Sequence, residues 1–163
     1  MFKVILVCTG NTCRSPMAEF ILKDIAESSS TELAVSSAGL AVGASTSINS
    51  KSAEILSQKY NNKTHINKFI KDHTSMQLDQ SMILDADEIL TMTIDQANYV
   101  LELFPESAGK VKHLGLYRTH LPEPWKSRAD VVDPFGNTLQ VYNETYAHLK
   151  LLLEAWFDDH QQR

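Results

Sequence analysis

The chain is predicted to fold as an α/β single domain over residues 1–163, with a four-stranded, mostly parallel sheet and helices on both faces. Two observations predict this class. Short runs rich in β-branched residues alternate with segments whose apolar residues recur every three or four positions, the order that builds parallel strands joined by helical crossovers. No repeat, low-complexity tract or composition shift marks a linker, and 163 residues is one domain's worth of chain.

Taken in order, Phe2–Val7 is β-branched and apolar enough for a buried strand. A helix is expected from Pro16, with Met17, Phe20, Ile21 and Ile25 on one face, Ser15 as N-cap and Pro16 at the first helical position. Leu33–Ser36 reads as a short strand closed by Ser37, Ala38 and Gly39. Ser52–Tyr60 reads as a helix with Ala53, Ile55 and Leu56 inward. Thr74–Leu84 reads as another, with Thr74 and Gln77 as a capping box. Glu88–Met92 is the third strand, after which Thr93 and Gln96 supply a second capping box. That helix carries Ala97, Val100, Leu101 and Phe104 on one face and is stopped by Pro105. Lys110–Leu114 is a fourth, weaker strand. Tyr142, Tyr146, Leu149, Leu153 and Trp156 mark the last helix. Tyr117–Asp130, with Pro122 and Pro124, is the longest irregular stretch.

Lys+Arg 15 against Asp+Glu 20 gives a formal charge of -5, which disfavours general nucleic-acid binding. Val4–Val7 is too short for the hydrophobic segment of a signal peptide, and no run approaches the ~20 apolar residues of a membrane span. The expectation is therefore a cytoplasmic protein with neither nucleic acid nor membrane as a partner. Only two cysteines occur, Cys8 and Cys13, and both lie in one short segment, which excludes a disulfide scaffold and a structural zinc site. No metal and no cofactor is expected, since the sequence carries no H-E-x-x-H, C-x-x-C, Walker-type or dinucleotide-binding motif.

The chemistry concentrates between the first strand and the first helix, in Val7-Cys8-Thr9-Gly10-Asn11-Thr12-Cys13-Arg14-Ser15-Pro16. A loop curled over a helix N-terminus gathers unpaired N–H groups at the positive end of the macrodipole, which makes it an oxyanion site. Arg14 adds a planar fork of donors suited to two phosphate oxygens. Gly10 and Asn11 tolerate the left-handed backbone angles that such a loop requires. Beside a guanidinium and a helix N-terminus, Cys8 is expected to favour its thiolate, a nucleophile toward bound phosphate. A buried structural cysteine and a surface arginine would not need this joint spacing.

With its continuation Met17-Ala18-Glu19, the same segment resembles the signature of the low-molecular-weight protein tyrosine phosphatases. Ser37-Ala38-Gly39 resembles the end of that family's second strand and Ala86–Met92 its third; His65 falls where the family places a buried histidine. Asp133-Pro134-Phe135-Gly136 resembles its acid-bearing loop, and the likeness runs from Phe2 to about Trp156. The resemblance implies that Cys8 becomes a phosphocysteine while Arg14 and the loop residues Thr9, Gly10, Asn11, Thr12 and Cys13 hold the phosphoryl oxygens. It implies that Asp133 acts as acid and then as base, that Ser15 supports the sulfur, and that Asn11, Ser37 and His65 hold the loop's shape. No metal is implied, the loop dipoles and Arg14 supplying the positive field. Phe135 would wall the mouth of the pocket.

Two rivals fit less well. An arsenate reductase of this fold relays electrons through later cysteines, and none follows Cys13. A dead phosphoprotein-binding module would be expected to lack Cys8, Arg14 or Asp133. Phosphorylated proteins are the expected substrates. The sequence also resembles the protein-arginine phosphatase branch in having Thr12, where tyrosine-directed members generally carry a bulkier aliphatic residue. A phosphoarginine phosphatase is therefore the first expectation, and a tyrosine phosphatase the alternative.

Overall fold

The computed structural model describes all of residues 1–163. Four strands, β1 (Phe2–Cys8), β2 (Leu33–Gly39), β3 (Glu88–Thr91) and β4 (Val111–His113), lie in the order β2-β1-β3-β4, every neighbouring pair parallel. β1 is central, and its side chains split by the period-two rule. Val4, Leu6 and Cys8 enter the main core against α1 (Arg14–Ser28) and α6 (Leu139–Gln161), whereas Ile5 and Val7 enter a smaller core on the opposite face. That second face holds Ile83 from α4 (Gln80–Asp85) and Val100 from α5 (Ile94–Leu103). Helices therefore cover both faces, as the alternating pattern predicts. No helix is long and apolar enough to cross a membrane.

Local departures have identifiable causes. α1 begins at Arg14, with Cys13 as N-cap and no side-chain capping bond, because the hydroxyl of Ser15 is engaged elsewhere. β2 extends to Gly39, past the expected Ser36. α2 spans Ser50–Lys59, and Asn49 caps it by accepting from the Lys51 N–H. The expected helix over 74–84 shortens to α4, capped by Asp79. Thr74 and Gln77 form no capping box: the Gln77 carboxamide accepts from the Val42 N–H, tying an extended segment to the turn after β2. A further helix, α3 (Ile66–Asp72), is not among the expected elements; its apolar Ile66, Phe69 and Ile70 recur at i, i+3 and i+4, but over only seven residues. The Thr93–Gln96 capping box is present.

Parallel strands place all four carboxyl ends on one edge, and the loops leaving that edge build the site. Gly39 marks a close approach there. A Cβ on it would lie 2.8 Å from the Thr9 carbonyl oxygen and 3.0 Å from the Asn11 nitrogen, so the loop after β1 rests directly on the end of β2.

Candidate active site

The segment from Cys8 to Ser15 turns back over the first turn of α1. Asn11 is held at φ 54°, a left-handed conformation in which Asn is among the tolerated residues. Gly10, expected to share that role, does not adopt positive φ and has room for a side chain, with Thr12 Oγ1 at 3.7 Å from its virtual Cβ. The turn is thus made at Asn11 alone.

The loop's carbonyl groups point outward to donors on neighbouring segments. Cys8 O accepts from Leu40 N at 3.0 Å, Thr9 O from Ala41 N at 2.9 Å and Thr12 O from Asn49 N at 2.9 Å. The Asn11 carbonyl meets His73 Nε2 at 2.9 Å. The N–H groups of Thr9, Gly10, Thr12, Cys13, Arg14 and Ser15 have no protein acceptor, and that of Asn11 faces Cys8 Sγ at 3.3 Å. A row of free donors at a helix N-terminus is the physical content of an anion site.

A buried polar chain runs from the candidate nucleophile to the surface. Ser15 Oγ lies 3.0 Å from Cys8 Sγ and accepts from Asn11 Nδ2 at 2.8 Å; its own proton has two acceptors within reach, the sulfur and the Ala38 carbonyl at 3.4 Å. Asn11 Nδ2 also donates to Ser37 Oγ at 2.9 Å, and Asn11 Oδ1 accepts from Met76 N at 2.9 Å. Ser37 in turn donates to Glu19 Oε2 at 2.6 Å, and the other Glu19 oxygen pairs with Lys23. Asn11 and Ser15 are fully buried, and Glu19 and Ser37 nearly so. Every polar atom of the Asn11 carboxamide is satisfied, the condition under which a buried network rigidifies its surroundings.

Arg14 is 4% exposed and divided between two tasks. One amino group donates to the Val131 carbonyl at 3.0 Å; the other lies 3.3 Å from Asp133 Oδ2. The second Asp133 oxygen accepts from Phe135 N at 3.2 Å, so Asp133 opens a turn as well as facing the guanidinium. Gly136 completes that turn at φ 77°. Cys8, Thr9, Gly10, Thr12, Cys13, Arg14, Asp133 and Phe135 together line a cavity of about 240 Å³. A larger cavity of about 480 Å³ lies beside Ser37, His65 and His73, but neither cysteine lines it. Phe135 is 70% exposed at the mouth. Cys13 is buried against the Tyr142 hydroxyl at 3.5 Å, and burial pushes its thiol pKa up. No group of three or more His, Cys, Asp or Glu side chains is placed to hold a metal ion.

One expected member is misplaced. His65 sits half-exposed at the N-terminal end of α3, 3.6 Å from Glu27 and with its ring 5.5 Å from that of Phe20, out of contact with the loop. α3 separates it from His73 at the other end of the helix, roughly 12 Å away at 1.5 Å per residue. His73 is the histidine that meets the loop. The sequence pattern assigns no site role to His73, Glu19, Asn49, Gln96 or Val131. Gln96 closes its capping box and, with the same carboxamide, donates to Thr9 Oγ1 at 3.1 Å. A carboxylate among the inward positions of α1 was the readable sign of Glu19, and an N-cap residue type before α2 that of Asn49, although Asn49 meets the loop through its backbone N–H; Val131 acts through its carbonyl and leaves no sign.

Residues 3–163 match the family described as Low molecular weight phosphotyrosine protein phosphatase. The chain is 34% identical over 150 residues to a protein-arginine-phosphatase of Bacillus subtilis, covering 92% of this chain and 91% of that one. It is 30% identical to a protein-arginine-phosphatase of Geobacillus stearothermophilus, covering 94% and 92%. It is 27% identical to the low molecular weight protein-tyrosine-phosphatase Wzb of Salmonella typhimurium, covering 94% and 91%. Among solved structures, a YwlE mutant from Bacillus subtilis superposes with a TM-score of 0.84 at 31% identity over 99% of both chains. A YwlE arginine phosphatase mutant with a phosphorylated active-site serine superposes at 0.83 and 31% identity, covering 98% of this chain and 96% of that one.

Proposed function

We propose that this chain, which belongs to the low molecular weight phosphotyrosine protein phosphatase family, removes phosphate from phosphoarginine in proteins. It is a cysteine-dependent protein phosphatase. In the proposed assignment Cys8 Sγ attacks phosphorus in line with the leaving group. Arg14 and the free N–H groups of the loop hold the three peripheral oxygens, where charge develops. As the P–N bond breaks, Asp133 gives its proton to the departing guanidine nitrogen. Asp133 then takes a proton from the water that cleaves the S–P bond, and Cys8 leaves as a thiolate facing Ser15 Oγ and the Asn11 N–H.

Thr12 at the pocket wall carries the choice of phosphoarginine. Its side chain is small and offers a hydroxyl beside a planar, polar guanidinium. Isoleucine there would crowd that group and leave its donors unpaired, a failure that costs orders of magnitude in specificity. The ionised Asp133 carboxylate accepts from a guanidinium as readily as its protonated form donates to a leaving group. The exposed Phe135 ring favours the second reading, phosphotyrosine, because it offers a face to a phenol.

We assign the working compartment to the cytoplasm, where a catalytic thiol stays reduced, and the substrates to phosphorylated proteins. The mechanism is tested by mixing enzyme with a phosphoarginine peptide, quenching within one turnover and locating phosphate by peptide mass spectrometry. Phosphate on Cys8, absent in Cys8→Ser along with turnover, is the expected result. Turnover by Cys8→Ser near the wild-type rate, or no covalent adduct, would overturn it.

A further inference from the structure

The turn that carries Asp133 is anchored unevenly. On its N-terminal side, Val131 N donates to Met92 O at 2.9 Å and Val131 O accepts from Arg14. Past Asp133 the bonds are internal, from Asn137 N to Pro134 O at 2.9 Å and from Asn137 Nδ2 to Phe135 O at 3.3 Å. Beyond them Thr138 O accepts from Tyr142 N at 3.3 Å as α6 begins, and between these anchors Lys51 Nζ donates to Asn137 O at 2.5 Å.

Lys51 stands at the start of α2, in a segment that also grips the phosphate loop. Asn49 N donates to Thr12 O at 2.9 Å, and Asn49 Oδ1 accepts from Lys51 N at 2.9 Å. The Lys51 ammonium lies 5.7 Å from the centre of the Tyr142 ring, whose hydroxyl reaches Cys13 Sγ. Residues 49–51 therefore touch both the loop that would hold phosphorus and the turn that would hold the acid. Lys51 lines neither the pocket nor its mouth.

We propose that Lys51 is a positioning residue for the proton-transfer step: through Asn137 it holds the Asp133 turn at a set distance from the phosphate loop. The inference rests on the reading of Asp133 as the acid. Proton transfer needs heavy atoms within about 2.6–3.2 Å, and a displacement of about 1 Å can cost on the order of a hundredfold in rate. Asp133 is half-exposed, so without Lys51 the exposed span Phe135–Asn137 loses its hydrogen bond to α2 and is left between Arg14 and Val131 on one side and the buried Pro134 and the start of α6 on the other.

The test is Lys51→Met, which keeps the apolar stem over Tyr142 and removes the donor. kcat/KM is measured on aryl phosphates of rising leaving-group pKa, with inhibition by inorganic phosphate as a measure of the loop itself. The expected result is a loss of about tenfold for the poorest leaving groups, little change for p-nitrophenyl phosphate, unchanged phosphate inhibition, and recovery in Lys51→Arg. Equal loss across the series, no loss, or weakened phosphate inhibition overturns the proposal. Asp133→Asn is run beside it. A flat series for Asp133→Asn defeats the reading of Asp133 and the clamp with it; a steep one beside a flat Lys51→Met series defeats the clamp alone.

Discussion

The Arg14 guanidinium spans two points of the segment that leads into the acid turn, the Val131 carbonyl at 3.0 Å and the Asp133 carboxylate at 3.3 Å. A planar fork can serve both and still present donors to phosphate; an ammonium cannot. Arg14→Lys is therefore expected to lower kcat/KM by about a hundredfold or more, with weaker phosphate inhibition. Steady-state kinetics with p-nitrophenyl phosphate decides it, and retention of more than half the wild-type value would contradict the role.

Asn11 combines a left-handed backbone with a carboxamide bonded to Ser15, Ser37 and Met76. Asn11→Ala is expected to cost about 2–3 kcal/mol of stability, since it strands two buried hydroxyls and places alanine at positive φ. Denaturant unfolding gives the number. A loss below about 0.5 kcal/mol would show that the chain from Cys8 to Glu19 is not rigidifying.

His148 supplies a pH dependence. It is 2% exposed under the stacked Trp125 ring, and burial, with Arg128 adding repulsion, pushes its pKa down to about 4 from 6.5. The unfolded chain then binds a proton below pH 6.5 that the folded chain refuses until about pH 4. Stability should be fully present above pH 6.5 and fall toward pH 4, by on the order of 2–3 kcal/mol from this group. His148→Phe keeps the stacking partner and should flatten that slope in melts across the window. An unchanged slope would assign the acid sensitivity to other groups.

Cys8 and Cys13 are both free in the same short loop, and Cys13 is held as the protonated thiol by burial. Peroxide is expected to oxidise Cys8 to the sulfenic acid, which the Cys13 thiol then condenses with to form a disulfide and water. Inactivation should reverse with dithiothreitol in the wild type and far less in Cys13→Ala. Equal recovery in both would leave Cys13 a packing residue.

The sheet, the helices on both its faces and the loop with Cys8 and Arg14 were legible because each is written locally. β1 is a run of β-branched residues, α1 an apolar stripe, and the loop a fixed spacing. What was not legible is carried by geometry that spacing does not encode. His65 and His73 differ only in which end of α3 they occupy, and α3, seven residues long, shows its Ile66, Phe69 and Ile70 stripe over barely two turns. Gln96 reads as a cap and also reaches Thr9. Ser15 reads as a cap and instead faces sulfur, because Asn11 and Cys8 compete successfully for its hydroxyl.

Thr12 shares the pocket wall with Asp133 and Phe135, where the leaving group of a substrate would sit. The direct measurement is kcat/KM on matched peptides carrying phosphoarginine or phosphotyrosine, for the wild type and for Thr12→Ile. The wild type should prefer phosphoarginine, and Thr12→Ile should move the ratio toward phosphotyrosine by at least about tenfold. A wild-type preference for phosphotyrosine, or a ratio that Thr12→Ile leaves unmoved, would contradict the assignment.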